Sequence, residues 1–245
     1  MPRFFIEPQE NISLPDSGHF YITGENARHI SRSLRMKTGE SLVLCDGKGL
    51  DAHCRIAAFT DQTVEVEILS LQANTTEPST HVHIYQGLPK ADKLESVAQK
   101  AAELGAVSVT PVLCKRCIAK IDEKSAQKKT ERLQKILLEA AKQSGRGKIP
   151  QAGAPLAFEA AMRRAAEAGT VLFFYEAGGM PLSEILPRTA GEISIFIGPE
   201  GGFDPAEADF AEKIGAHTVT LGPRILRTET APIAALSVIL YAIAN

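Results

Sequence analysis

No tryptophan occurs in this 245-residue chain, and aromatic residues make up only 6% of it. A stacking platform of aligned aromatics, of the kind that reads single-stranded RNA, is therefore not expected. Long apolar runs are missing too. The most apolar stretch, Ala231 to Ala244, is too short to span a bilayer and reads as a buried helix, so no membrane partner is expected. At the N-terminus, Met1-Pro2-Arg3-Phe4-Phe5 meets Glu7, Pro8 and Glu10 too soon for a secretory signal, which points to the cytoplasm. Cysteine is sparse. Of Cys45, Cys54, Cys114 and Cys117 only the last two have ligand-like spacing, and no second pair completes a zinc site, so no metal is expected. Cys114 also follows the strand-like Val107 to Leu113, whereas a redox Cys-x-x-Cys opens a helix. Neither a G-x-x-x-x-G-K-[ST] loop nor the glycine spacing of a dinucleotide fold is present, which leaves nucleoside triphosphates and NAD without support.

What is present is unevenly distributed. The formal net charge is −2, yet residues 90–148 carry 14 basic against 7 acidic side chains, net +7. A basic block inside a nearly neutral chain is the electrostatic footprint of a phosphate-backbone binder, or else a solvated helix face. Residues 1 to about 72 hold short alternating runs, Phe4 to Ile6, Phe20 to Ile22, Ser41 to Cys45, Ala52 to Phe59 and Val64 to Leu69, punctuated by Gly, Asp and Asn. That pattern predicts a small β-barrel-like domain. One helix, Glu25 to Leu34, interrupts it and sets Arg28, Arg32 and Arg35 close to one face. Polar Gln72 to Thr80 reads as a linker. From His81 onward strands alternate with helices up to the last helix near Thr230 to Ala244, which predicts a mostly parallel sheet covered by helices.

Two strand-like runs in this second part end in Gly-Pro turns: Ile193 to Ile197 before Gly198-Pro199-Glu200-Gly201-Gly202, and Thr218 to Leu221 before Gly222-Pro223-Arg224-Ile225-Leu226-Arg227-Thr228-Glu229-Thr230. Ligands of open α/β sheets lie outside the carboxyl ends of strands, where glycine lets backbone approach them, so the active site is expected here. Thr228 and Thr230 are expected as N-caps of the last helix.

Combined with Leu88-Pro89-Lys90-Ala91-Asp92-Lys93, Gln99 to Gly105, Glu139 to Arg146, the opening Arg3-Phe4-Phe5, Leu34-Arg35-Met36 and Asp46-Gly47, these motifs make the whole chain resemble the RsmE family. These are bacterial SPOUT-superfamily methyltransferases that make 3-methyluridine in the 16S rRNA of the small ribosomal subunit. Lys115 departs slightly from relatives with an acidic residue there. The resemblance implies an α/β protein: a PUA-like RNA-binding barrel over 1–72, and a SPOUT methyltransferase domain over 73–245 with a deep trefoil knot near 172–231. It further implies a homodimer binding S-adenosyl-L-methionine. On that basis Leu172, Gly198, Pro199, Glu200, Gly201 and Gly202, with Leu221, Gly222, Ile225, Leu226, Thr228 and Ala231, are the expected cofactor residues.

The chemistry then narrows the catalytic candidates. Uracil N3 is a poor nucleophile until its proton leaves, so the site must stabilise developing anionic oxygens and order or deprotonate the base. Arg227, with its fixed donor fork, is the candidate for the first task and Glu200 for the second. Arg28, Arg32, Arg35, Lys90, Lys93 and Arg116, with Lys120, Arg146 and Arg224, are expected to face RNA, positioning it without specifying sequence. The partner so implied is rRNA within an assembled subunit. Methylation of another RNA position such as a ribose 2′-hydroxyl, or a non-catalytic role in ribosome assembly, are the competing readings.

Overall fold

The computed structural model describes residues 1–6, 14–118, 121–186 and 191–244; Glu7, Pro8, Glu10 and Lys120 lie outside them. The chain divides into two compact units, Met1–Glu77 with Ala141–Ile149, and Pro78–Ala140 with Pro150–Asn245.

The first unit contains β1 (Arg3–Phe5), β2 (Gly18–Ile22), α1 (Gly24–Arg28), β3 (Ser41–Cys45), β4 (Leu50–Phe59) and β5 (Val64–Ala73). Its sheet runs β1-β3-β4-β5-β2, with β1 parallel to β3 and the other pairs antiparallel. Period-two alternation sends Ala52, Cys54 and Ile56 of β4 and Val64, Val66 and Ile68 of β5 into one core with Leu42, Leu44 and Ile30. Each Val, Leu or Ile among them contributes roughly 1.5–3 kcal/mol when fully buried. Register shifts at His53/Cys54 and Ile56/Ala58 interrupt the long β4–β5 pairing, as bulges that bend a sheet do.

The helix expected over Glu25 to Leu34 is not uniform. After Arg28 it widens into a π turn over His29–Ser33, closed by Leu34 N–H to His29 O at 2.9 Å. Ser31 Oγ donates to Ala27 O at 2.8 Å, the back-bonding that loosens a helix from within. Arg35 follows in the left-handed region at φ +52. Arg28, Arg32 and Arg35 are all exposed, on three different kinds of backbone rather than along one regular helix.

Buried charge in this unit is matched. Arg3 grips Asp51 through both terminal nitrogens at 2.8 and 2.9 Å, and Asn74 donates to the same carboxylate at 2.8 Å. Arg146 is 3% exposed and meets Glu77 through Nη2 at 2.7 Å and Nε at 3.2 Å. The expectation that Arg146 faces RNA is corrected by this pair, because a buried guanidinium forked onto a carboxylate has no face left for a phosphate. Partial burial pulls the Asp51 and Glu77 carboxyls upward, but their arginine partners outweigh it and hold both below the ordinary carboxylate range.

The second unit contains β6 (His81–Gly87), α2 (Lys93–Leu104), β7 (Ser108–Leu113), most of α3 (Glu123–Ser144), β8 (Gln151–Ala152), β9 (Leu156–Ala157), α4 (Phe158–Ala168) and β10 (Thr170–Phe174). It continues with β11 (Met180–Pro181), α5 (Leu182–Ile185), β12 (Glu192–Ile197), α6 (Pro205–Lys213), β13 (His217–Thr220) and α7 (Ala231–Ala244). Its sheet runs β11-β13-β10-β12-β6-β7-β8, with β9 also on β7, and every pair is parallel. Strands covered on both faces read as continuous apolar runs, which is why Ile193 to Ile197 and Val171 to Phe173 are legible from sequence. β8, β9, β11 and α5 are too short to show a period. Leu94, Val97, Ala98, Ala101 and Ala102 repeat at helical spacing, turning one face of α2 into the core. Asp204 and Glu207 form a capping box with Pro205 in the first turn, which fixes where α6 starts after the Gly201-Gly202 turn. No described helix is long and apolar enough to cross a membrane.

Candidate active site

Because the strands are parallel, the carboxyl ends of the adjacent β13, β10 and β12 open on the same side, and a cavity of about 900 Å³ lies there. Phe174 to Gly178 from the end of β10 onward, Ile197 to Gly202 from the end of β12 onward, and Val219 to Thr228 around and after β13 form its walls, with Lys93 from α2 and Ala231 from α7. That volume suits a small-molecule or cofactor site.

The loops are tied together by side chains. Thr228 Oγ1 donates to Gly198 O at 2.7 Å, and Gln86 Nε2 donates to Thr228 Oγ1 at 2.9 Å. Thr228 is thus a clamp between two loops and not a helix cap; Thr230 is the residue whose carbonyl accepts the first bond of α7, from Ala234. Gln86 is fully buried, and its Oε1 has no hydrogen-bond partner among the described residues. Its backbone neighbour Gly87 lies so close to Pro199 that a Cβ would overlap the proline ring, so the turn after β12 packs directly on the end of β6.

Charges at the mouth form a chain. Lys93 Nζ lies 3.1 Å from Glu200 and 3.3 Å from Glu229, and Lys90 N–H donates to Glu200 at 3.1 Å. Partial desolvation raises the Glu200 carboxyl, but the backbone N–H groups of Glu200 and Lys90 and the Lys93 ammonium prevail and hold it below the usual range. The same pairing with Glu200, then Glu229, raises Lys93. Arg224 and Arg227 differ: both are exposed and line the cavity, and neither side chain makes a hydrogen bond or ion pair among the described residues, although the Arg227 charge acts on Glu229 across the loop.

Of the residues expected at a cofactor, Gly198, Pro199, Glu200, Gly201 and Gly202 line this cavity, as do Leu221, Gly222, Ile225, Leu226, Thr228 and Ala231. Ile225 is nevertheless 84% exposed, so it rims the cavity more than it walls it. Leu172 is the exception: it is fully buried mid-strand in the core, and β10 reaches the cavity two residues later at Phe174. Of the residues expected at RNA, Arg116 donates to Gly201 O at 3.1 Å, while Lys93, engaged by two carboxylates, has its charge taken up inside the site. Gln86 and Glu176 carry little signal in the sequence: Gln86 is a lone amide in the apolar run of β6, and Glu176 follows β10 with no motif around it. Among the described residues no group of three His, Cys, Asp or Glu is placed to hold a metal.

Similarity to known proteins decides the family. Residues 76–240 match the family described as an RNA methyltransferase domain, and residues 22–69 match an RNA methyltransferase PUA domain. The chain is 35% identical to ribosomal RNA small subunit methyltransferase E of Bacillus subtilis, over 98% of this chain and 96% of that one. The chain belongs to the ribosomal RNA small subunit methyltransferase E family. A member from Mycobacterium bovis is 30% identical over 93% of this chain and 88% of its own. The family's Neisseria gonorrhoeae structure, bound to S-adenosyl methionine, superposes with a TM-score of 0.89 at 31% identity, covering 99% of this chain and 98% of that one. The fold is accordingly mixed α/β, a PUA-like part followed by a methyltransferase part.

Proposed function

We propose that this protein transfers a methyl group from S-adenosyl-L-methionine to N3 of a uridine in 16S rRNA. The observation behind this is the Arg227 guanidinium, without a hydrogen bond or ion pair among the described residues, in a cavity of about 900 Å³ walled by two cross-tied glycine-proline loops. The residues fit the cofactor. Ile197, Val219, Leu221 and Leu226 offer apolar surface to an adenosyl group, and Gly198, Gly201 and Gly202 bring backbone within reach of it. When bound, the cofactor supplies an electrophilic methyl on a sulfonium.

Arg227 stabilises the negative charge that develops on the uracil oxygens as the N3 proton departs, which makes that proton easier to lose. Glu200 is kept ionised by Lys93 and the Lys90 amide. Its carboxylate is already engaged by Lys93 at 3.1 Å and by the Lys90 N–H at 3.1 Å, so Glu200 braces the mouth and orients what enters it, and the N3 proton passes to solvent water. Arg28, Arg32 and Arg35 in the first unit, and Lys90, Arg116 and Arg224 in the second, supply exposed positive charge for phosphate contacts. With no tryptophan in the chain, recognition rests on shape and charge, hence on rRNA within an assembled subunit.

A deep trefoil knot near 172–231, implied by the resemblance to the RsmE family, is part of the same reading. Val238, 46% exposed, and Tyr241, 75% exposed, leave an apolar strip on α7, which supports a homodimer. The domains are read as 1–72 for RNA binding and 73–245 for methyl transfer, and the site of action as the cytoplasm. Incubation of the protein with methyl-labelled S-adenosylmethionine and unmodified small subunits, beside naked rRNA, followed by nucleoside mass spectrometry, tests this. 3-Methyluridine formed mainly on assembled subunits is expected. A 2′-O-methylated nucleoside, or no transfer to either RNA, contradicts it.

A further inference from the structure

Two carboxylates line the cavity, and they are treated differently. Glu200 has its own ammonium at 3.1 Å and a backbone N–H at 3.1 Å. Glu176 has neither. Its nearest cation among the described residues is Arg116 Nη1 at 4.0 Å, and that nitrogen already donates to Gly201 O. Glu176 lies two residues beyond the end of β10, with its side chain 35% exposed. The loop after β12 is shaped around it: Gly202 sits at φ +67, and a Cβ there would overlap the Glu176 carboxylate. A cavity carboxylate with free acceptor capacity, against which the neighbouring loop gives up a side chain, is built to receive donors from a ligand.

We propose that Glu176 binds the two vicinal ribose hydroxyls of the cofactor, a role that rests on reading the cavity as an S-adenosylmethionine site. Three features select the diol over the cofactor's ammonium. First, two coplanar carboxylate oxygens match two adjacent O–H donors. Second, Arg116 at 4.0 Å balances part of the charge, which favours neutral donors over another full cation. Third, an acid just beyond the carboxyl end of a parallel strand is where other open α/β sheets place their ribose acceptor. Glu176 is thus a binding residue. It fixes the adenosyl group while Arg227, from the loop after β13, attends to the base.

Titration calorimetry with the full-length protein separates the outcomes. The ligands are S-adenosylhomocysteine, 5′-methylthioadenosine, which keeps the ribose but lacks the amino-acid end, and 2′-deoxy-5′-methylthioadenosine. Glu176→Gln is expected to weaken the first two ligands by the same factor, about 10- to 100-fold, as for a hydrogen bond to a charged group. The 2′-deoxy ligand, already lacking one donor, is expected to lose less. Glu176→Asp, shortened but still charged, is expected to fall between wild type and Glu176→Gln. Thermal melting of both variants is expected to match wild type, since Glu176 sits partly exposed at the cavity wall. Unchanged affinity in Glu176→Gln overturns the proposal. So does a loss confined to S-adenosylhomocysteine, which would assign Glu176 to the amino-acid end. If folded wild-type protein binds none of the three ligands, the cavity reading itself falls, and with it this one.

Discussion

Arg146 and Arg227 are the same side chain in opposite settings. Arg146, in the first unit, is 3% exposed and forked onto Glu77; Arg227, in the second, is exposed at a cavity wall with no hydrogen bond or ion pair among the described residues. Arg3 and Asp51 repeat the first arrangement, Arg224 the second. A paired, buried guanidinium is part of the fold's own electrostatics, and its removal is felt as instability. An unpaired one facing a cavity has its donors available for a charge that arrives with substrate, and its removal is felt as lost rate. Sequence position does not distinguish them, since each follows a glycine-containing or charged stretch that gives no hint of its partner. Partner accounting does.

The largest effect expected from this contrast is in the first unit. Glu77→Ala leaves the buried Arg146 without its carboxylate and is expected to destabilise by about 3–5 kcal/mol, read as a fall in Tm and in the denaturation midpoint. A variant that melts like wild type would mean that Arg146 finds another partner. Next is Arg227→Ala, for which methyl transfer to small subunits is expected to fall by about 100- to 1,000-fold with Tm unchanged, as when one preorganised donor is removed from an active site. Thr228→Val keeps the volume of the clamp but removes its hydroxyl. Gly198 O loses that donor, and Gln86 Nε2 keeps only Gly87 O at 3.1 Å and Gly198 O at 3.4 Å. A cost of about 1–3 kcal/mol is expected, with weaker cofactor binding measured by calorimetry.

The smallest effect is in pH dependence. Asp51 and Glu77 are depressed in the folded state, so the stability they contribute is complete above their unfolded values, near 4, and is lost as pH falls through the lower folded ones. Thermal melts from pH 7 to pH 3 should show this acid limb, and Glu77→Gln should flatten it.

Much of the second unit is legible in the sequence because its strands are buried on both faces and its helices carry one apolar stripe. The Gly-Pro turns after Ile197 and Leu221 place the site at the carboxyl ends for the same reason. Three kinds of feature escape. The π turn after Arg28 depends on Ser31 bonding backward, which a helical period does not reveal. Arg146 reads as surface charge until Glu77, 69 residues earlier, is brought against it. Leu172 and Glu176 sit on one stretch of chain, and only the strand's end point tells that the acid reaches the cavity and the leucine does not. Local pattern reports which backbone forms. It reports pairing across dozens of residues poorly, and the division of arginines into structural and functional ones is a matter of pairing.

The most direct test measures Tm and methyl-transfer rate together for Arg146→Ala and Arg227→Ala. A crossed result is expected: Arg146→Ala loses stability and, while folded, keeps its rate, whereas Arg227→Ala keeps its stability and loses its rate. Full turnover in Arg227→Ala, or a rate defect in folded Arg146→Ala as large as that of Arg227→Ala, would contradict it.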